Sequence, residues 1–214
     1  MFDAIGSSSA VSGFFWDDFW SLSGNMGDNT PHAIEDMGLT PADLAQLTAS
    51  YEANMAALRA RTLAAGKFSW QMLWSGGDGN SVGSTCPSPL VRSATCAADL
   101  RALCSAASPQ QVNRTLLYAF APGGCSSVNP GSLPDFENDL ASFLLIRGAF
   151  AYLGTAWVGC SRTYVTPAAL AVDYGVPSGL CAETAPGSNV FTRDFSKATV
   201  TMDCSTWNSS IVMK

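Results

Sequence analysis

Charge is scarce in this chain of 214 residues: Asp, Glu, Lys and Arg together make up only 13% of it. Lysine is limited to Lys67, Lys197 and Lys214, and the formal net charge is −6. Such a chain lacks the basic footprint that neutralises phosphates or anionic headgroups, so neither nucleic acid nor a membrane surface is an expected partner. No stretch approaches about 18 apolar residues, and the first ten residues carry no cationic region ahead of an apolar run, so neither a spanning helix nor a signal peptide is expected. Histidine occurs once, as His32, and no two cysteines form a Cys-x-x-Cys pair, which removes the usual zinc ligand spacings. Also missing are the Gly-x-Ser-x-Gly elbow, a phosphate loop ending in Gly-Lys-Ser/Thr, and His-Glu-x-x-His. A catalytic triad would depend on His32 alone, a loop residue in Asn-Thr-Pro-His. Neither a metal nor an organic cofactor is implied.

Burial material, by contrast, is plentiful. Hydrophobic residues make up 47% and aromatics 10%, well above what a disordered segment carries, and the length suits a single domain spanning residues 1–214. Seven cysteines (Cys86, Cys96, Cys104, Cys125, Cys160, Cys181, Cys204) and two glycosylation sequons, at Asn113 and Asn208, are more usual in secreted proteins. An extracellular or secretory-pathway setting is therefore expected, with a cytosolic protein of seven buried thiols as the alternative. The odd cysteine count and the missing export signal together point to a truncated chain.

Strand and helix signals alternate. Residues 11–20, aromatic and free of proline, read as a strand that ends in Asp17 and Asp18. Thr40 with Pro41 begins a helix that Gly66 stops, with Leu44, Leu47, Met55, Leu58 and Leu63 as its apolar stripe. Residues 67–74 then read as a second strand, and strand–helix–strand is the pattern of a parallel crossover. Further on, the pattern predicts a short helix over 97–105, a strand over 115–121, a helix over 135–148, and strands over 151–157 and 170–174. Residues 190–204 read as an antiparallel hairpin turning near Ser196 and Lys197.

In parallel α/β architectures reactive groups gather at the carboxyl ends of strands. Asp17 and Asp18 are placed there, and Asp173 ends the 170–174 segment. A carboxylate against Trp16 and Trp20 would be desolvated and suited to proton donation, while a better hydrated neighbour stays ionised. Glu183 is a further carboxylate, with surface placement the expected outcome. Aromatic rings at strand ends beside polar groups suit sugars, whose C–H faces stack on rings while their hydroxyls meet amides. Trp20, Trp74, Tyr118 and Trp157 are the candidate rings and Gln71 the candidate amide.

The order of these segments resembles the hypothetical glycosyl hydrolases, a glycoside hydrolase family with a (β/α)8 TIM barrel related to the alpha-galactosidase-like barrels. The resemblance rests on Gly13-Phe-Phe-Trp-Asp-Asp18, Phe143-Leu-Leu-Ile-Arg-Gly-Ala-Phe-Ala-Tyr-Leu-Gly154, Asp173-Tyr-Gly-x-Pro177 and Val190-Phe-Thr-Arg-Asp-Phe-x-x-Ala-Thr-Val200. It implies the C-terminal portion of such a barrel, incomplete because the family's early strands have no counterpart and closure needs eight strands. It also implies hydrolysis of a glycosidic bond by paired carboxylates, with Asp17 as the strand-end catalytic group and Asp18 beside it; the partner acid is left open between Asp18 and Asp173. The competing expectation is a non-catalytic carbohydrate-binding or cell-surface protein using the same aromatics.

Overall fold

The structure is a computed structural model that describes residues 5–16, 37–74, 89–119, 136–155 and 167–214. The chain divides into two units, Met1–Met72 and Leu73–Lys214.

In the first unit, strand β1 (Gly13–Trp16) lies parallel to β2 (Phe68–Trp74), in the register Gly13↔Phe68 to Trp16↔Gln71. A Cβ on Gly13 would sit 2.4 Å from the Phe68 carbonyl oxygen, so glycine is what lets the two backbones approach at the start of the pair. Helix α1 (Pro41–Ala64) makes the crossover expected from the sequence. A capping box starts it: Thr40 Oγ1 accepts from the Asp43 N–H, and the Asp43 carboxylate accepts from the Thr40 N–H at 2.9 Å. Gly66, at φ +67, ends it in the left-handed conformation that a helix stop requires. Leu44, Thr48, Tyr51, Met55, Leu58 and Thr62 form its more protected stripe at helical spacing, whereas Leu47 and Leu63 fall outside it and are exposed. Lys67 Nζ donates to the carbonyls of Ser8 and Val11 and so ties the start of the chain to the end of the crossover.

The second unit contains α2 (Pro89–Leu103), the single turn α3 (Pro109–Val112), β3 (Arg114–Ala119), α4 (Phe136–Ile146) and β4 (Ala151–Thr155), with β3 and β4 parallel. A 3-10 turn, Ala168–Ala171, leads into an antiparallel sheet of β5 (Ala182–Glu183), β6 (Val190–Asp194), β7 (Ala198–Asp203) and β8 (Asn208–Met213), in that spatial order. The hairpin expected at 190–204 is its centre, with Val190 opposite Asp203 and Asp194 opposite Thr199. β8, unforeseen from the sequence, adds a further strand alongside β7.

The core of this unit lies where α4 meets the sheet. Leu140, Phe143, Leu144, Leu145 and Ile146 of α4 are buried, as are Phe191, Phe195, Val200 and Met202 from the hairpin. β7 alternates buried and half-buried residues along its whole length, the period-two signature of a sheet with one face on a core. Arg193 is buried in the same layer. Its Nη1 donates to the carbonyls of Leu144, Leu145 and Arg147, while Gln111 Nε2 donates to those of Ile146 and Arg147. The unpaired carbonyls at the end of α4 are thus satisfied by side chains from other elements. Two disulfides, Cys96–Cys204 and Cys104–Cys181, join α2 and the residue after it to the chain around the antiparallel sheet.

The TIM-barrel-like architecture expected from the sequence is overturned. The described strands form parallel pairs and a separate antiparallel sheet, and no eight-strand closure occurs among the described residues. The chain from residue 182 onward is committed to antiparallel pairing covered by α4, a plan whose one-sided alternation differs from the two-sided burial of barrel strands. The strand expected over 170–174 is also corrected. Those residues begin in the 3-10 turn and run on as extended chain to Gly175 at φ +84, outside any strand.

Candidate functional site

A cluster of buried polar groups lies on one face of the β1–β2 pair. In a parallel pair, register partners point to the same side, so Phe14 and Ser69 share a face, as do Trp16 and Gln71 one step further along. Ser69 and Gln71 are essentially without solvent exposure, and Phe14 and Trp16 are half-buried with their rings stacked at 5.6 Å. Four buried polar atoms here have no hydrogen-bond partner among the described residues: Trp16 Nε1, Ser69 Oγ, and both Nε2 and Oε1 of Gln71. Each such group costs about 1–3 kcal/mol in lost hydration, and native chains keep few of them. Together they offer an indole donor, a hydroxyl, and an amide that both donates and accepts, beside an aromatic stack.

The opposite face of the pair is open. Phe15, Phe68 and Trp70 are exposed, with Phe15 and Trp70 meeting edge to face at 6.3 Å. It is rich in rings and carries no polar group of the buried kind.

Of the residues expected at the site, Gln71 is on the buried polar face. Trp74 lies in β2 and Tyr118 in β3, where the backbone alone is described. Asp17, Asp18, Trp20 and Trp157 lie outside the described residues, as does His32. Asp173 lies in the second unit on an exposed turn, not at the end of a strand. One of its carboxylate oxygens accepts from the Gly175 N–H at 2.9 Å and the other pairs with Lys197. The Lys197 hydrogen bond first, and then the Gly175 N–H, hold its carboxyl below the usual carboxylate range, the reverse of what a proton donor needs. Glu183 accepts from Arg101 Nε and Nη2 and from the Asn189 N–H, and these contacts lower its pKa to about 2, with Arg101 the larger cause. Both carboxylates are occupied as structural anions.

Ser69 is a site group that the sequence reading does not single out, and Trp16 enters that reading only as a ring, not as a polar donor. The signal for Ser69 was in the sequence: in Phe68-Ser-Trp-Gln-Met-Leu-Trp74 the polar residues stand two apart, which assigns Ser69 and Gln71 to one face of a strand. Among the described residues, no group of three or more His, Cys, Asp or Glu side chains is placed to hold a metal ion. No protein-family model matches the chain, and no curated protein is similar enough to count as a relative.

Proposed function

We propose that the chain recognises a carbohydrate, which is held against the face of β1–β2 that carries Trp16, Ser69 and Gln71. The observation that carries this reading is Gln71: an amide whose two polar atoms are buried with no hydrogen-bond partner among the described residues is costly to leave unbonded and suited to a ligand whose hydroxyls both donate and accept. The stacked rings of Phe14 and Trp16 supply the apolar surface that a pyranose face requires. The groups are uncharged, which fits a neutral polyol better than an ionic ligand.

Hydrolysis of the bound sugar is the second reading, favoured by the two carboxylates, Asp17 and Asp18, that follow Trp16 directly in the chain. The setting proposed for either activity is extracellular or within the secretory pathway, where disulfides such as Cys96–Cys204 persist. Asn208 is exposed and open to glycosylation there, whereas Asn113 is buried.

The test is Gln71→Leu, read by glycan-array binding, titration calorimetry and urea unfolding. Removing an unsatisfied amide should leave stability unchanged or raise it by about 1–2 kcal/mol, while the lost hydrogen bonds weaken glycan binding by roughly 10–100-fold. Unmutated protein that binds no glycan, or a variant that binds equally well, would overturn the proposal. Asp17→Asn separates the two readings. Hydrolysis requires turnover to fall about 10²–10⁴-fold with affinity retained, and a pure binding protein shows no turnover to lose.

A further inference from the structure

A cleft of about 530 Å³ opens in the second unit between the end of α4 and the chain that precedes β5, and two arginines, Arg147 and Arg193, line it. We propose that this cleft binds a small organic acid, with the ligand's carboxylate held by Arg147 beside Arg193 and its apolar body packed against Val176, Pro177 and Leu180. The proposal is independent of the carbohydrate reading, since it uses none of the same residues.

Neither arginine comes within ion-pair distance of a carboxylate among the described residues, unlike Arg101, Lys197 and Lys214, each of which pairs with one. Both guanidinium carbons lie within 6 Å of the Phe195 ring centroid, at 5.3 Å for Arg147 and 5.5 Å for Arg193, so two like charges share one ring. Their situations differ. Arg193 spends its Nε on the Gly179 carbonyl and its Nη1 on the carbonyls at the end of α4, where the negative end of the helix compensates its charge. Among the described residues the Arg147 guanidinium makes a single hydrogen bond, from Nη2 to the Gly175 carbonyl at 3.3 Å, and its Nε is buried with no partner there. A half-buried guanidinium with donors to spare and a second cation beside it is an arrangement that an anion stabilises. In agreement, burial first and then the charge of Arg147 lower the pKa of Arg193 to about 10.

The rest of the lining sets the ligand class. Val176, Pro177 and Leu180 form apolar walls, with Val176 72% exposed and Leu180 40% exposed to whatever occupies the cleft. Asp173, just before the Gly175 wall, is neutralised by Lys197 and does not oppose an anion. A bare inorganic anion would use the cations and leave the walls wet, whereas an organic carboxylate uses both. The volume falls in the range of small-molecule sites, about 300–1,000 Å³.

The test titrates the oxidised full chain with sodium benzoate and, in parallel, with sodium phosphate, against sodium chloride at matched ionic strength. Calorimetry should show one benzoate per chain. At ten times the dissociation constant, benzoate should raise the melting temperature by about 3–6 °C, and Arg147→Gln should weaken binding at least tenfold. On unmutated protein, benzoate should protect Arg147 from modification by phenylglyoxal, read by peptide mass, which keeps the test decisive if the variant fails to fold. Benzoate no more effective than chloride, undiminished binding by Arg147→Gln, or an unprotected Arg147 would each overturn the proposal. Phosphate binding more tightly than benzoate would overturn the organic-acid assignment.

Discussion

Glu183 shows how much one side chain can be asked to hold. Arg101 engages it with two nitrogens and also donates from Nη2 to Asn189 Oδ1, while Asn189, in the left-handed conformation at φ 58, turns its own N–H back to Glu183. These contacts need the ionised carboxylate, which is why its pKa falls from 4.5 to about 2. A group whose pKa is depressed by folding contributes stability above its unfolded value and loses it as pH falls through the folded one. The contribution of Glu183 is therefore complete above about pH 4.5 and disappears toward pH 2. Urea midpoints measured between pH 7 and pH 2 should fall less steeply in Glu183→Gln than in the unmutated protein. The difference should shrink in high salt, because the Arg101 partner is largely exposed.

Among the elements, α4 depends most on its neighbours. Its last carbonyls are satisfied by Arg193 from β6 and Gln111 from α3, and Asn138 clips it to the other end of the sheet through the Trp207 carbonyl and Ser209 Oγ. Arg193→Met would keep much of the volume yet take from the carbonyls of Leu144 and Leu145 their side-chain donor, so unfolding free energy should drop by on the order of 3 kcal/mol in urea titrations. The elements that were legible in the sequence are those whose signals are local. Thr40, Pro41, Asp43 and Gly66 bracket α1 almost to the residue, and the period-two pattern of 190–204 specifies a hairpin. What could not be read is what depends on distant partners. The start of α2 at Pro89 lies well before the helix expected from residue 97, and β5 is two residues long and exists only because Ala182 and Glu183 meet Thr192 and Phe191. Asp173 was placed at a strand end because Leu170-Ala-Val-Asp-Tyr174 is apolar enough for a strand, but the segment pairs with no neighbouring strand and Lys197, 24 residues away, takes the carboxylate. At the candidate site Gln71 was legible as an amide on a strand. Its lack of a partner among the described residues was not, because hydrogen-bond satisfaction is a property of the folded neighbourhood.

At the scale of the whole molecule, the second unit is held by covalent bonds as well as by its core. The sequence separations bridged are 108 residues for Cys96–Cys204 and 77 for Cys104–Cys181, and the second bond lies inside the loop closed by the first. Nested loops are not additive: with the outer bond intact, the inner one closes a smaller ring of about 30 residues. Replacing Cys104 and Cys181 by serine should then cost roughly 3–4 kcal/mol of unfolding free energy, read from urea titrations without reductant. The nesting has a consequence for breakage. A protease that cuts the backbone once between residues 104 and 181, after Arg114 or Arg147 for instance, leaves two pieces still joined through sulfur, so a nicked molecule runs as one band until thiol is added.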